Sequence, residues 1–314
     1  MITKNIELKY PLVIFLMGPT ACGKSAIAVK LRQLIPVELV SVDSALIYRG
    51  MNIGTAKPTS RELLDNPYYL IDIKDPIEVY SVGEFHKDVL KIIEHIFSLG
   101  RIPLLVGGTM FYFKILLDGL PQLPTANNKV RSYLYSMVKT NKNFLYNKLR
   151  EIDFESSKRI HPHDIQRILR ALEIFYISGK TLTHLTKLKK YQFPYKVVQF
   201  SIMPRSKNWL VNNICTRFSN MLKSGFQKEV EHLLNRGDLN INLPSMRCVG
   251  YRQMWDYLIN NLSYDDMIHK SISATKKLAK NQLTWLKNWS NINILKNNDN
   301  LDDISSQIIK IISQ

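Results

Sequence analysis

The sequence is short of cysteine, of glycine and proline, of long apolar runs and of acid. Its three cysteines, Cys22, Cys215 and Cys248, form no C-x-x-C pair. That argues against a disulfide framework and a zinc finger, and for a reducing compartment. Thirteen glycines and thirteen prolines in 314 residues are too few for a fibrous or disordered chain. The apolar run from Pro11 to Met17 is too short to span a membrane, and no longer one occurs. It leads straight into a glycine motif with no small-residue cleavage site after it, unlike a signal peptide. These absences predict a soluble cytoplasmic protein without a membrane partner.

Acid is the remaining shortage. Twenty-six Asp and Glu face 43 Lys and Arg, a formal net charge of +17. An enzyme of small metabolites has no need of that excess, whereas a phosphate-backbone partner uses it through counterion release and steering. A genome biased toward Lys, Asn and Ile codons yields the same excess, so charge supports a nucleic-acid partner without establishing one. The 45% hydrophobic content can fill the core of one large domain with an insertion, or of two modest domains.

What is present reads as an α/β chain. Pro11 to Met17 is a continuous apolar run suited to a strand buried on both faces of a parallel sheet. A helix over Lys24 to Leu34 follows, then a strand over Val37 to Val42 ending at Asp43. A helix over Val82 to Leu99 and a strand over Ile102 to Val106 complete the alternation, which places ligands beyond the carboxyl ends of the strands. After Gly119 the texture changes. Lys129 to Leu188 is helix-like, basic and rich in Tyr, and strand character returns at Val197 to Ile202. The expected organisation is an α/β core with a parallel sheet and C-terminal helices (1–121 and 196–314) carrying a helical insertion (122–195). The tail after Asn291 reads as polar and marginal.

Gly18-Pro19-Thr20-Ala21-Cys22-Gly23-Lys24-Ser25 fits G-x-x-x-x-G-K-[ST] at every fixed position, after a buried strand and before a helix. Such glycines turn backbone N–H groups onto phosphate oxygens, and the helix N-terminus adds partial positive charge. Lys24 is expected at the outer phosphate and Ser25 on Mg²⁺. The acid that P-loop hydrolases carry at the end of a second buried strand is missing, because Ile102 to Val106 runs into Gly107-Gly108-Thr109. Asp43 is the one acid at a suitable strand end. On the residues alone it is as readily a turn cap or Mg²⁺ ligand as a catalyst, and the loop reads as gripping a diphosphate without splitting one.

Phe15 to Ala21, Ser41 to Tyr48, Gly50 to Pro58, Pro103 to Thr109, Ile177 to Leu182 and Arg247 to Gln253 resemble, in order, the signatures of the tRNA dimethylallyltransferases. The likeness runs from about residue 11 to 290 and lacks the zinc finger of eukaryotic relatives, as in the bacterial branch. The resemblance implies a P-loop NTPase-like core and transfer of a dimethylallyl group from its diphosphate, with Mg²⁺, to N6 of the adenosine immediately 3′ of the anticodon in tRNAs reading codons that begin with U. It makes Asp43 the base that takes the amine proton and puts Thr20 and Arg217 at the diphosphate. Arg217, by its sequence context an ordinary exposed helix arginine, then offsets charge on the leaving group.

The target adenine must be flipped from its stack. The resemblance places around it, and along the anticodon stem-loop, Asp43, Ser44, Ala45, Leu46, Thr109 and Arg131, with Gln166, Arg167, Ile168, Leu169 and Arg170 of the helical insertion. It adds Arg247, Cys248, Val249, Gly250, Tyr251 and Arg252, and then Lys280, Asn281, Gln282, Leu283, Thr284, Trp285, Leu286 and Lys287. Arg167 and Arg170 share a helix face, which is also ordinary surface patterning. His161 and His163 read as structural. At about 100° per residue Lys276, Lys280 and Lys287 fall within roughly 40° of one another. Leu278, Trp285 and Trp289 lie opposite, which predicts a basic outer stripe and a Leu–Trp face docked on the core. Asn281 and Lys287 stand where relatives often have Arg, and Ser25 where Thr is commoner. Losing guanidinium forks weakens bidentate phosphate contacts. A monomer is expected. The rival enzyme is a P-loop kinase of a nucleoside or small metabolite, and the non-enzymatic rival a tRNA-binding protein with a relic loop. The intact loop and Asp43 count against the latter.

Overall fold

A computed structural model describes residues 11–138, 144–187, 192–298 and 300–314. Its elements, in chain order, are β1 (Leu12–Met17), α1 (Lys24–Leu34), β2 (Val37–Val42), α2 (Ser60–Asp65), β3 (Tyr68–Tyr69), α3 (Val82–Ser98), β4 (Ile102–Gly107) and α4 (Met110–Asp118). There follow α5 (Asn128–Val138), α6 (Phe144–Ile152), α7 (Phe154–Arg159), α8 (Ile165–Ser178) and α9 (Leu182–Lys187). The chain ends with β5 (Lys196–Met203), α10 (Lys207–Lys223), α11 (Phe226–Asn235), α12 (Tyr251–Leu258), α13 (Tyr264–Lys287), β6 (Asn293–Lys296) and α14 (Leu301–Ile312).

The strands form one parallel sheet in the order β3-β2-β4-β1-β5-β6. Every residue of β1, β2 and β4 is buried, which is why these segments read as continuous apolar runs rather than alternating ones. One face carries Leu12, Ile14, Leu16, Val37, Leu39, Ile102 and Leu104, packed with Ile27 and Leu31 of α1 and Ile304 and Ile308 of α14. Phe15 of β1 meets Phe113 of α4 at 5.0 Å between ring centroids. The long helix α3 starts at a capping box in which Ser81 and Glu84 satisfy each other's backbone donors.

The tail differs from expectation. Residues 293–296 are the sixth strand, and Ile304, Ile308 and Ile312 of α14 are buried. The Asn-rich linkers hid a short strand and an i, i+4, i+8 apolar stripe.

The chain divides into two units: residues up to Ile115 together with Pro194–Gln314, and Leu116–Phe193. The division falls a few residues from the expected 122 and 195. The second unit is helical, with a core of Leu134, Leu145, Leu149, Ile160, Ile168, Leu169 and Leu172. The helical reading of Lys129 to Leu188 crosses residues 139–143 and 188, which lie outside the described residues. Glu173 is buried in this unit with its carboxylate fully used: Arg131 Nε donates at 2.9 Å, Arg170 Nη1 at 2.6 Å and the Asn127 N–H at 2.8 Å.

Candidate active site

The motif lies where the central strand ends. β1 stops at Met17, the loop runs through Gly18–Gly23, and α1 begins at Lys24, so the helix N-terminus opens toward the loop. The turn places Ala21 at φ 61° and Gly23 at φ 87°. Gly23 has no alternative, since a Cβ there would also stand 2.7 Å from Asn297 Nδ2. Lys24 Nζ folds back over the loop and donates to the Pro19 carbonyl at 2.7 Å. Three side-chain amides from distant parts of the chain hold the loop backbone. Gln282 Oε1 accepts from the Thr20 N–H at 2.8 Å, Asn213 Nδ2 donates to the Ala21 carbonyl at 3.3 Å, and Asn297 Nδ2 donates to the Cys22 carbonyl at 2.8 Å.

Asp43 follows β2, two strands from β1 in the sheet. Its Oδ1 accepts the Ala45 N–H at 2.8 Å, an Asx turn that fixes the carboxylate. Thr109, after β4, accepts the Ser44 N–H on Oγ1 at 3.3 Å. The turn-cap reading of Asp43 is therefore correct as geometry and leaves Oδ2 for other work.

Arg217 projects from α10, and its Nη2 donates to the Thr55 carbonyl at 3.0 Å. Burial pulls the guanidinium below its usual pKa, and the negative charge of Asp43 pulls back. Half-buried and held by the Thr55 carbonyl, it is not the exposed helix arginine that its sequence context suggested. The loop that receives it is itself held rigidly. Glu229 of α11 accepts three backbone N–H groups, from Asn52 (2.8 Å), Ile53 (2.7 Å) and Gly54 (3.0 Å), together with the Tyr251 hydroxyl at 2.6 Å. Lys57 is buried and donates to the Tyr48 carbonyl, Asn52 Oδ1 and Asp72 Oδ1. Gly50 to Pro58, read only as a family signature, is thus a scaffold for Arg217.

Two cavities meet at these residues. One, of about 330 Å³, is walled by Thr20 to Ala26, Ser41, Asp43 and Arg217. The other, of about 530 Å³, is walled by aromatic and apolar side chains including Tyr48, Tyr80, Phe111, Tyr112, Phe218 and Trp285, with Cys248. Thr20, Asp43, Thr55, Gly108, Arg217 and Gln282 line both. Burial and the charge of Asp43 push the Tyr112 phenol and the Cys248 thiol each up to about 12, so both stay neutral and neither competes with the carboxylate as a base.

Of the residues expected at tRNA, Leu46 lines the loop cavity, while Asp43, Ser44, Ala45, Thr109, Arg247 and Cys248 gather at the aromatic cavity. Val249 and Gly250 line it as well, and Arg252 is exposed one turn further on. Tyr251 and Leu286 are core residues, as are Ile168 and Leu169 of the helical unit; they hold their segments and face inward. Arg131 and Arg170 are committed to Glu173, and Arg167 pairs with Asp164 at 3.2 Å, while Gln166 lies in the first turn of α8. The His163 N–H donates to His161 Nδ1 at 3.2 Å, ordering the turn before α8.

On α13 the expected docking face needs correcting. Lys276, Lys280, Asn281, Thr284 and Lys287 are exposed as expected, but Leu278 and Trp285 are also 38% and 41% exposed and line the aromatic cavity. The face that docks is Ser271, Ala279, Gln282 and Leu286, with Leu283 half-buried beside Ile214 and Leu210 of α10. Met267, Ile272, Leu283 and Leu286 share this side with Ser271, Ala279 and Gln282, so small and polar residues interrupt its apolar pattern in the sequence.

Mg²⁺ fits this site in chemistry. The Ser25 hydroxyl is exposed to the loop cavity, Asp43 lines it, and Ser41 Oγ is buried on its wall without a hydrogen-bond partner. These are hard oxygen donors of the kind Mg²⁺ takes alongside substrate phosphates and water. Among the described residues no group of three or more His, Cys, Asp or Glu is placed to hold a metal alone, and none of the helices is long and apolar enough to cross a membrane.

Comparison with known proteins gives the chain's family. Residues 46–289 match the model of the IPP transferase family. A tRNA dimethylallyltransferase of Buchnera aphidicola subsp. Baizongia pistaciae is 60% identical over 309 residues, covering 98% of this chain and 96% of the relative. The crystal structure of the full-length tRNA isopentenylpyrophosphate transferase from Bacillus halodurans superposes with a TM-score of 0.70 at 32% identity, covering 97% of each chain. A eukaryotic dimethylallyltransferase, captured in snapshots acting on tRNA, shares the fold with a TM-score of 0.81 at 24% identity, over 95% of this chain and 77% of its own. With a sequence match over most of its length and the same architecture, this chain belongs to the IPP transferase family.

Proposed function

We propose that the protein transfers a dimethylallyl group from dimethylallyl diphosphate to N6 of the adenosine immediately 3′ of the tRNA anticodon, in tRNAs reading codons that begin with U. It acts as a monomer. The observation that carries this is the meeting of two unlike cavities at Asp43, Thr20 and Arg217. One is shaped for phosphates and the other, lined by aromatic rings, for a flipped base.

The diphosphate lies in the Gly18–Ser25 loop, against N–H groups at the start of α1 and within reach of Lys24. Mg²⁺, when bound, neutralises diphosphate charge, with the Ser25 hydroxyl as its protein ligand. The adenine enters from the aromatic side. The N6 lone pair forms the bond to C1 of the dimethylallyl group as the C1–O bond breaks and its electron pair leaves with the diphosphate. Asp43 takes the N6 proton. An aligned acceptor contributes on the order of 10²–10⁴ in rate. Arg217, partly desolvated and fixed by Thr55, stabilises the charge growing on the leaving oxygen, where a preorganised cation is most effective.

The test is transfer of a radiolabelled dimethylallyl group from its diphosphate to unmodified tRNA, with Mg²⁺ and without ATP. Wild type should transfer, and Asp43→Ala should lose roughly 10²–10⁴ in rate while tRNA binding persists. ATP turnover on a nucleoside with no prenyl transfer would instead establish a kinase.

A further inference from the structure

α13 carries the lysines assigned to tRNA, yet the polar side chain of Gln282 in that segment faces inward with Leu286. Gln282 is 9% exposed, and both ends of its amide are spent inside the protein. Oε1 accepts the Thr20 N–H at 2.8 Å, and Nε2 donates to the Gly108 carbonyl at 2.8 Å. The fit is close on the far side too, because a Cβ on Gly108 would stand 2.5 Å from Gln282 Nε2.

The amide therefore ties the loop after β1 to the loop after β4, at the two backbone positions where the phosphate and aromatic cavities join. Thr20 precedes Ala21, which sits in the left-handed region at φ 61°, a conformation that L side chains avoid unless the surroundings fix it. With the Thr20 N–H held by Gln282 and the Ala21 carbonyl held by Asn213, the Pro19–Thr20 and Ala21–Cys22 peptides that bracket this turn are pinned.

We infer that Gln282 is a positioning residue for the diphosphate loop and not a tRNA contact, which corrects the role the family resemblance gave it. This rests on reading the loop as the dimethylallyl diphosphate site. Gln282 sets the orientation of the Thr20 peptide and so the direction in which the following N–H groups meet the phosphates. The Thr20 N–H, spent on Gln282, is not itself a phosphate donor.

The experiment compares full-length wild type with Gln282→Met, which keeps length and burial but loses both hydrogen bonds, and with Gly108→Ala, which displaces the amide from its other side. Thermal melting establishes that each variant is folded. Binding of dimethylallyl diphosphate with Mg²⁺ is measured by calorimetry, binding of unmodified tRNA by filter retention, and KM for each substrate by steady-state transfer. Either folded variant should show a Kd and KM for the diphosphate raised about tenfold or more, as expected for a buried hydrogen-bonded group left unpaired, with the tRNA Kd within about twofold of wild type. A loss that falls on tRNA as much as on the diphosphate, or an unchanged diphosphate affinity, would overturn the inference. Failure of wild type itself to bind dimethylallyl diphosphate would instead sink the proposed function.

Discussion

Asn297 donates from Nδ2 to the carbonyl oxygen of Cys22 at 2.8 Å, joining the segment after the last strand to the middle of the phosphate loop. The Asn297 N–H in turn donates to the Met203 carbonyl at 2.8 Å, so the amide is carried on the sheet itself. Asn297 is 5% exposed, and removing its side chain strands a buried carbonyl. Asn297→Ala should cost about 1–3 kcal/mol in urea denaturation and weaken diphosphate binding as well. Loss of stability with unchanged diphosphate affinity would confine the contact to the fold.

How much of this was legible follows from which physical signal each part leaves. Buried parallel strands leave unbroken apolar runs, so β1, β2 and β4 could be read within a residue or so, and with them the loop and Asp43 at strand ends. The tail left no such run. Asn293-Ile-Leu-Lys296 is a four-residue strand among asparagines, and only the spacing of Ile304, Ile308 and Ile312 betrayed α14. The docking face of α13 was misread because Leu278 and Trp285 were expected to mark the core, whereas the contact uses Ala279 and Gln282 and the apolar pair lines a cavity. Roles that depend on long-range partners were not readable at all. Glu229 and Gln282 are unremarkable helix residues until residues 177 and 262 positions away in the sequence are found against them.

Glu229 offers two oxygens to four donors, three of them backbone N–H groups of residues 52–54. A neutral amide in its place brings donors where only acceptors are wanted. Glu229→Gln should therefore destabilise the protein by about 1–3 kcal/mol. It should also slow transfer, because the loop it holds supplies the Thr55 carbonyl that fixes Arg217. Single-turnover kinetics beside a denaturation curve separate the two effects. An unchanged chemical step would mean Arg217 is held well enough without that loop.

The helical unit should loosen in acid. Burial pushes the Glu173 carboxyl up, but hydrogen bonds from Arg131, Arg170 and the Asn127 N–H outweigh it and hold the pKa below the usual glutamate range. A carboxylate with a depressed folded-state pKa stabilises fully above its unfolded pKa and loses that contribution as pH falls through the folded value. Stability of wild type should thus decline below about pH 4, and Glu173→Gln should remove that part of the decline while lowering stability at neutral pH. Denaturation curves from pH 7 to pH 3 for both proteins decide it. Identical pH profiles would show that Glu173 is not the titrating group.

The exposed lysines of α13 make a prediction that separates charge from shape. Lys280 and Lys287 are exposed on the face away from the buried Ala279 and Gln282. If they neutralise tRNA phosphates, each releases about one counterion on binding, and removing one should reduce the salt slope of log Kd by roughly 1. Lys280→Ala and Lys287→Ala together should then weaken tRNA binding at low salt and flatten its salt dependence by about 2. The Kd for dimethylallyl diphosphate should stay unchanged, because neither lysine lines the loop cavity. Lys287→Arg should tighten binding, since the guanidinium fork makes paired phosphate contacts that an ammonium does not. A double variant with the wild-type salt slope would mean that the stripe is only a solvated face and that the positive charge which tRNA meets lies elsewhere.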